Sequence, residues 1–396
     1  MGSVADATEM LTYAMELSQE IGSSFAMLAA FWHLASMQIS QLHLNAAGQT
    51  CSHLLLLLQD ADLSRFPVEG HIALLRGEIA LERNELDLAE QYLQESADQI
   101  NREGFPMGLL RAYVALTRVR HVQNDSQGAE EYLAIANAFV VSHHLQARSS
   151  PLVLYNARMH LDQGNLSALS QWVTEQGITV DDELIPYREP AYLHLARYLL
   201  LNARSVPDEE SLTDAVTLLS RMVQHAESSG RTGSLIRASA LYALALAECD
   251  RQQEALEVLA KALVLAEPER SVRVFADEGF VMAKLLSQLL EAHGQGRLPA
   301  SLSISVPYVR TLLAALDYRT DAAVYQPANT ALPEPLSERE LEVLRLMADD
   351  LSSNEIAERL IIAVDTARKH VKNIYGKLAV HSRAEAIRRS RELGLL

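Results

Sequence analysis

The sequence predicts an all-α protein in two parts, an α-solenoid of paired helices followed by a small four-helix domain at the C-terminus. Three observations support this fold class. Apolar residues recur every three to four positions through most of the 396 residues, and little of the chain alternates as strands do. Similar helical pairs return about every forty residues. Near the C-terminus, two helix-start signals precede a helix with one basic face.

The composition is that of a globular chain, with 49% hydrophobic residues, a net charge of −17 and two cysteines. Asp6 and Glu9 interrupt the N-terminal stretch before any apolar core, so we expect no signal peptide. No apolar run approaches the length of a bilayer span. Cys51 and Cys249 lie far apart, without the spacing of a zinc site or a disulfide framework. These features predict a cytoplasmic protein with no membrane contact and no metal.

Small residues that would let paired helices pack closely recur along residues 1–320. They are alanines, each followed four positions later by a large or buried residue, at intervals of 42, 40, 39, 47 and 40 residues: Ala47, Ala89, Ala129, Ala168, Ala215 and Ala255. A unit of this size cannot bury its apolar face alone, so the units should stack. The copies resemble tetratricopeptide repeats with a longer period. A non-repetitive helical bundle is the alternative, because the 47-residue interval breaks the regularity.

The end of the solenoid is predicted from two further amphipathic segments, residues 273–286 and 306–316, which read as capping helices. Pro327, Pro333 and Pro335 then block any continuous helix in the polar stretch that follows. We therefore expect a linker over residues 321–335, between a helical-repeat domain (1–320) and a C-terminal domain (336–396).

The C-terminal domain opens with two capping boxes, Ser337-Glu-Arg-Glu340 and Ser352-Ser-Asn-Glu355, each of which predicts the start of a helix. A third helix is expected over residues 365–378. Its inward stripe, spaced by three and four, is Ala367, His370, Val371, Ile374 and Leu378. Its opposite face carries Thr366, Arg368, Lys369, Lys372, Asn373 and Lys377. Two short capped helices before a basic-faced helix indicate a helix-turn-helix that enters a DNA major groove.

The charge distribution agrees with this interpretation. Residues 359–391 hold nine basic and two acidic residues, whereas the part upstream of residue 334 holds 23 basic and 40 acidic ones. One small basic region on an acidic body is expected where a single face contacts phosphate. A solvated basic face on an ordinary helix is the alternative, and the two capped helices before it argue against that alternative.

The C-terminal segment resembles the LuxR/FixJ/GerE family of DNA-binding domains along its whole length: "LSERELEVLRLMADDLSSNEIAERLIIAVDTARKHVKNIYGKLAVHSRAEAIRRSRELGLL". The resemblance implies that the third helix is the recognition helix and that the fourth, residues 383–393, forms a dimer interface. By position, Arg368, Lys369 and Lys372 would read bases. Phosphate contacts would fall to Asn354, Thr366, Asn373 and Lys377. The chain departs from the family pattern at Ala363, where a Ser or Thr cap is usual, and at Ala367, where Val is usual.

The segments "VRVFADEGFVMAKLL" and "PYVRTLLAAL" extend the resemblance to the C-terminal half of MalT-like large LuxR regulators. It implies a transcription activator whose repeats sense a small-molecule or protein effector and whose C-terminal domain binds double-stranded promoter DNA as a homodimer beside RNA polymerase. No G-x-x-x-x-G-K-[ST] motif occurs, so no nucleotide or other cofactor is expected on these residues.

Two other classes of function were compared with this one. A helical-repeat adaptor for protein partners, with DNA binding as a tether, is the alternative. An enzyme is not expected, because the sequence has no metalloprotease, nucleophile-elbow or phosphate-loop motif. Groove-facing ligand candidates, which we expect to serve mostly as contacts between repeats, are Trp32, Glu78, Arg111, Arg118, His121 and His160.

Overall fold

The computed structural model forms two compact units, residues 1–322 and 323–396. It describes residues 4–20, 23–58, 68–103, 106–142, 151–205, 209–299, 302–320, 338–348, 351–360, 363–378, 380 and 382–392. Within these ranges the regular structure is helical, which confirms the predicted all-α class. The predicted linker, residues 321–335, lies outside the described residues.

The first unit contains sixteen α-helices among its described residues, with short 3₁₀ turns at Pro186–Arg188 and Glu267–Glu269. They are α1 (Val4–Glu20), α2 (Ser24–Ser40), α3 (Leu44–Leu57), α4 (Glu69–Glu82), α5 (Leu86–Glu103), α6 (Pro106–Val122), α7 (Ser126–Ser142), α8 (Pro151–Asp162), α9 (Leu166–Gln176), α10 (Glu189–Ser205), α11 (Glu209–Ser228), α12 (Thr232–Glu248), α13 (Gln252–Ala266), α14 (Arg273–Ala276), α15 (Gly279–Gly294) and α16 (Val306–Thr320).

The helices pair as α2/α3, α4/α5, α6/α7, α8/α9, α10/α11 and α12/α13. In five of these six pairs the same type of turn joins the two helices. In each of these turns one residue adopts left-handed backbone geometry, with φ between 58° and 65°. The next residue donates its N–H to a carbonyl five positions back, which ends the first helix. The left-handed residues are Leu42, Asn84, Asn124, Gly164 and Asp250. Four of them are Asn, Gly or Asp, the residue types that tolerate this geometry best.

The second helix of each pair packs through the alanines that the sequence singled out, with one exception. Ala47, Ala89 and Ala255 are each the fourth residue of their helix and are fully buried. In α9 the fourth residue is Leu169, which is fully buried, whereas Ala168 is only half-buried. The repeat position in this pair is therefore Leu169, and the intervals on either side of Ala129 are both 40 residues.

The helical repeats wind tightly enough for distant parts of the sequence to touch. A Cβ placed on Gly233 in α12 would lie 2.6 Å from backbone atoms of Ser40 and Gln41. Arg237 Nη1 donates to the Ser40 carbonyl at 2.7 Å. Glu269 accepts the Asn45 N–H at 2.6 Å. The turn after α2 thus rests on α12 and on the segment after α13.

The predicted capping helix over residues 273–286 is broken in the structure. A single helical turn, α14, ends at Ala276, and α15 starts at Gly279, whose φ is +69°. Gly279 adopts this left-handed geometry without strain, because it has no Cβ. Beyond the break, α15 and α16 bury apolar side chains against the last repeats, which confirms that this part of the chain completes the solenoid core.

The second unit contains α17 (Glu338–Ala348), α18 (Ser353–Arg359), α19 (Val364–Leu378) and α20 (Arg383–Glu392). These four helices agree with the four predicted for residues 336–396. Across the parts of both units that the structure describes, no helix has the length and apolarity that crossing a bilayer requires.

Candidate nucleic-acid interface

The core of the second unit holds α19 by one side. Buried side chains of α17 and α18 pack against the inward stripe of α19: Val343, Leu344, Met347, Ile356, Ala357, Ala367, Ile374 and Leu378. Val371 is partly buried against the same cluster. The predicted stripe is therefore confirmed for its apolar members. His370 is half-buried, and its Nδ1 has no hydrogen-bond partner among the described residues.

The start of α18 is set by the second capping box. The Ser352 N–H donates to Glu355 Oε2 at 2.7 Å, and the Glu355 N–H donates to Ser352 Oγ at 3.4 Å. This reciprocal pair satisfies two backbone donors that the first helical turn leaves open. The first box cannot be compared, because Ser337 lies outside the described residues.

At the start of α19 the described residues supply no side-chain cap, as the departure at Ala363 suggested. The Ala363 carbonyl accepts from the N–H groups of Thr366 and Ala367, so the helix begins at Val364 without a hydroxyl or amide cap. Asp365 lies in the first turn, where its charge favours the positive end of the helix dipole. Its Oδ1 accepts from Arg368 Nη1 at 3.4 Å rather than from the backbone.

One face of α19 carries most of the predicted DNA-contacting residues. Five of the seven predicted side chains are exposed on α19: Thr366, Arg368, Lys369, Lys372 and Asn373. The sixth, Asn354, is exposed in the first turn of α18. We name the five residues on α19 the basic face.

Lys377 differs from the other predicted residues. Its side chain is only 16% exposed, and Nζ lies 2.9 Å from Oε2 of Glu340, which is 5% exposed. At about 100° per residue, position 377 falls at the border between the basic face and the buried stripe. Its ammonium group therefore joins α19 to α17 in the structure, and its expected phosphate contact stays a prediction.

Two features of this unit had no assigned role in the sequence. Gly376 lies one turn after Lys372 on the exposed side of α19, and a Cβ there would meet nothing within 4 Å. A helix without a side chain at this point can approach another surface closely. Arg359, exposed at the end of α18, adds a cation to the unit.

Chemically, the basic face offers guanidinium and ammonium donors together with amide and hydroxyl groups. Arg and Lys donors match the O6 and N7 acceptors of guanine in the major groove, and any of these groups can hold a phosphate oxygen. Among the described residues, Arg368 pairs only with Asp365, and the two side chains are 64% and 93% exposed. Such a pair is weak in water and can exchange for a nucleic-acid partner at little cost.

Comparison with known proteins agrees with both units. Residues 1–292 match the family model described as the MalT-like TPR region, which is most of the chain. The chain belongs to the MalT-like family. Residues 334–390 match a second family model, described as bacterial regulatory proteins of the luxR family. The second match spans α17 to α19 and most of α20.

Relatives with this arrangement carry names that describe regulators. The HTH-type transcriptional regulator MalT of Serratia proteamaculans (strain 568) is 24% identical over 410 residues, covering 99% of this chain and 43% of that protein. The regulator of the same name from Yersinia pestis (strain Pestoides F) is 23% identical over 407 residues, with the same coverage. The chain thus spans less than half the length of the curated relatives it matches.

The predicted groove residues of this MalT-like chain contact one another between repeats. Arg111 on α6 makes a two-point ion pair with Glu78 on α4, with N–O distances of 3.0 and 2.6 Å. The Arg111 guanidinium also lies 5.1 Å from the ring centroid of Trp32 on α2. His121 Nε2 lies 3.5 Å from Asp162 Oδ2. These residues join the first helices of neighbouring pairs, as expected.

Arg118 and His160 complete the set of candidates. Arg118 pairs with Asp277, beyond the last repeat, at 3.3 Å. Nδ1 of His160 is buried, and none of the described residues offers it a hydrogen-bond partner. No ligand role follows from these positions alone.

The first unit also has a cavity that the sequence did not indicate. It measures about 750 Å³ and opens between the ends of α10 and α12 and the side of α15. Its lining is mainly apolar, with an Arg204–Glu248 ion pair and the exposed Lys284 at its edge. Its lining residues come from five helices, α10 to α13 and α15, and only their packing brings them together, which is why no local pattern predicts it.

Proposed function

We propose that this MalT-like chain regulates transcription by binding promoter DNA through the basic face of α19. The observation that carries the proposal is that Arg368, Lys369 and Lys372 are exposed together while the opposite side of α19 is buried against α17 and α18. In this arrangement Arg368, Lys369 and Lys372 read bases, whereas Asn354, Thr366 and Asn373 hold phosphates. Lys377 would contact phosphate only if it exchanged its Glu340 partner for DNA.

The remaining partners of the proposal are those that the resemblance to LuxR-family regulators implies. We infer that the protein acts in the cytoplasm as an activator that works with RNA polymerase. It binds DNA as a homodimer through α20, with half-sites about one helical turn apart. The helical-repeat unit is the sensor, and its effector is a small molecule or a protein.

Selection from a randomised duplex pool tests the DNA-reading role with the full chain. The wild-type protein should enrich a defined sequence, and its affinity for that duplex should fall steeply as salt rises, because phosphate contacts release counterions. Arg368→Ala or Lys372→Ala should each reduce discrimination at one base pair by about 1–3 kcal/mol. Competition binding against single-base variants of the enriched duplex measures this loss.

Lys261→Ala is the matched control, because Lys261 is an exposed lysine on α13 in the other unit. It should leave both affinity and base preference unchanged. Wild-type base preferences in both Arg368→Ala and Lys372→Ala would refute the assignment of base reading. If no duplex were enriched at all, the adaptor function would be the better description of the protein.

A further inference from the structure

Four arginines form a row along the inner side of the helical-repeat unit. They lie on the first helices of four consecutive pairs, at intervals of 40, 39 and 40 residues: Arg118 on α6, Arg158 on α8, Arg197 on α10 and Arg237 on α12. Arg118 and Arg158 each lie six residues before the left-handed residue of their turn, whereas Arg237 lies thirteen residues before Asp250. The row is therefore defined by what its members contact and not by one repeat position.

The first three arginines of this row bind two adjacent acidic residues from beyond the repeats. Arg197 donates to both carboxylate oxygens of Glu278, with Nη2–Oε1 at 2.6 Å and Nε–Oε2 at 3.2 Å. Arg158 Nη1 lies 3.8 Å from the same carboxylate, and Arg158 Nη2 donates to the Asp277 carbonyl. Arg118 Nη2 donates to Asp277 Oδ2 at 3.3 Å. Two consecutive residues thus tie together α6, α8 and α10, and we name this set of contacts the clasp.

The segment that carries Asp277 and Glu278 is anchored to the repeats at its other end. The N–H of Val272 donates to the Glu82 carbonyl at 2.9 Å, and the N–H of Val274 donates to Glu82 Oε1 at 3.0 Å. Phe275 in the single turn of α14 is fully buried. The segment therefore lies on the inner side of the helical-repeat unit, along the arginine row.

The ion pairs of the clasp differ in how far their side chains are exposed to solvent. The Arg197–Glu278 pair is deeply placed, with side chains 17% and 7% exposed, whereas Arg118 is 41% exposed. Removing one partner of a buried charge pair is strongly destabilising, because it leaves an uncompensated charge away from water. Glu278 therefore holds the clasp, and Arg118 is its accessible end.

We propose that the clasp couples the first helices of three repeat pairs to α15. A movement of α6, α8 or α10 relative to one another would then be transmitted to α15, which starts at Gly279. The coupling is mechanical, because α15 begins one residue after Glu278 and has no slack chain between. The inference rests on the sensing role proposed above, since binding of an effector to the helical-repeat unit would move these helices. Arg118, Arg158 and Arg197 act as positioning residues, with α15 as the element that responds.

Hydrogen–deuterium exchange of the full chain tests the clasp without effector or DNA, so its result is independent of the DNA-binding experiment. In Arg118→Gln, changed on α6, backbone amides of residues 272–286 should exchange about two- to fivefold faster, because loss of a partly exposed ion pair makes local opening easier. Glu278→Gln should give the same pattern with a larger increase. Exchange in α17 to α20 should not change.

Glu248→Gln is the matched control. Glu248 pairs with Arg204 between α12 and α10, and both side chains are partly exposed, so the variant removes an inter-repeat ion pair outside the clasp. It should leave exchange of residues 272–286 at the wild-type rate. If Glu278→Gln prevents folding, Arg118→Gln decides, because it leaves intact both the Arg197–Glu278 pair and the contact of Asp277 with the buried Arg273. Wild-type exchange over residues 272–286 in folded Arg118→Gln would overturn the proposal, as would equal acceleration by Glu248→Gln.

Discussion

Lys372 and Lys377 lie on the same helix, yet their surroundings differ in the way that decides what each can bind. Lys372 is exposed, whereas Lys377 is held beside the buried carboxylate of Glu340. Lys377 lies five residues after Lys372, and the rotation of the helix over these five residues places it at the edge of the packed side. At the scale of single residues, burial separates a structural cation from one that is available to a ligand.

Lys377→Met should destabilise the second unit by about 3 kcal/mol, because it removes the ammonium group that lies beside the buried Glu340 carboxylate. Unfolding of the full chain in urea, followed by a probe in residues 338–392, measures the change. Arg368→Ala should cost less than about 1 kcal/mol, since its pair with Asp365 is exposed. The double variant Lys377→Met/Glu340→Gln should recover much of the loss. Equal stability of Lys377→Met and wild type would show that the pair is unimportant.

His194 on α10 makes the first unit sensitive to acid. The pKa of His194 is lowered to about 3, mainly by burial and to a smaller extent by the positive charge of the nearby Arg197. Its Nδ1 bonds to the Pro190 carbonyl at 2.7 Å, while Nε2 is buried without a partner among the described residues. The folded state therefore excludes a proton that the unfolded chain binds below its ordinary pKa of about 6.5.

Stability of the first unit should fall as the pH drops below about 6.5, by at most about 1.4 kcal/mol per pH unit. Urea unfolding at pH 7.5 and 5.5 measures the slope, and His194→Gln should flatten it. His33→Gln is the control, because His33 is exposed on α2. An unchanged slope in His194→Gln would assign the acid sensitivity to another group.

At the scale of the residue, periodicity alone was enough to separate the basic face from the buried stripe, since both belong to one helix. The partner of Lys377 could not be predicted in this way. Glu340 lies 37 positions earlier on another helix, and only the packing of α17 on α19 brings the two together. The sequence had assigned that carboxylate to the first capping box.

At the scale of the element, α18 depends on its capping box. Hydrogen bonds from the side chain and then the backbone of Ser352 lower the pKa of Glu355. The stabilisation is therefore present above the ordinary glutamate range near 4.3 and is lost as the pH falls through the lowered value.

Ser352→Ala should destabilise the second unit by about 1 kcal/mol at neutral pH. It should also reduce the loss of stability between pH 5 and pH 3, because the Ser352 hydroxyl no longer favours the charged form of Glu355. Circular dichroism melts across this range measure both effects. Ser353→Ala, one residue further along, serves as the control. A wild-type acid profile in Ser352→Ala would mean that Glu355 is not tied to the cap.

The helical elements were largely predictable, since amphipathic spacing and caps are local signals. The best signal for the repeats, however, was in the turns. Asn84, Asn124 and Gly164 recur at intervals of 40 residues and take left-handed geometry, whereas the alanine rule chose Ala168 in place of Leu169. The break at residues 277–279 was missed, because acidic residues and one glycine look tolerable within a helix pattern.

At the scale of the whole molecule, contact between successive turns of the coil can be tested at Gly233. Gly233→Ala should destabilise the first unit by about 1–3 kcal/mol, because the new methyl would meet backbone atoms of Ser40 and Gln41 that cannot rotate away. Gly48→Ala in α3 is the control. Its methyl would meet nothing within 4 Å, so it should stabilise the helix by up to about 1 kcal/mol. Chemical unfolding of both variants decides, and equal midpoints would argue against this contact.

Sequence reasoning could predict that the pairs stack, but not how far the stack curls. The curl depends on small rotations summed over several pairs, and its consequences, such as Arg237 reaching Ser40, join positions almost two hundred residues apart. The clasp follows from the same curl, because it brings Asp277 and Glu278 together into contact with arginines from three pairs.

The seating of the turn at residues 40–45 against α12 and Glu269 bears on how this unit folds. In an open array, repeats can fold and unfold one at a time, because each repeat contacts only its neighbours. Here the earliest hairpins and the final ones share an interface, so removing either end should weaken the other. We expect one sharp unfolding transition for residues 23–320 where an open array would melt in stages.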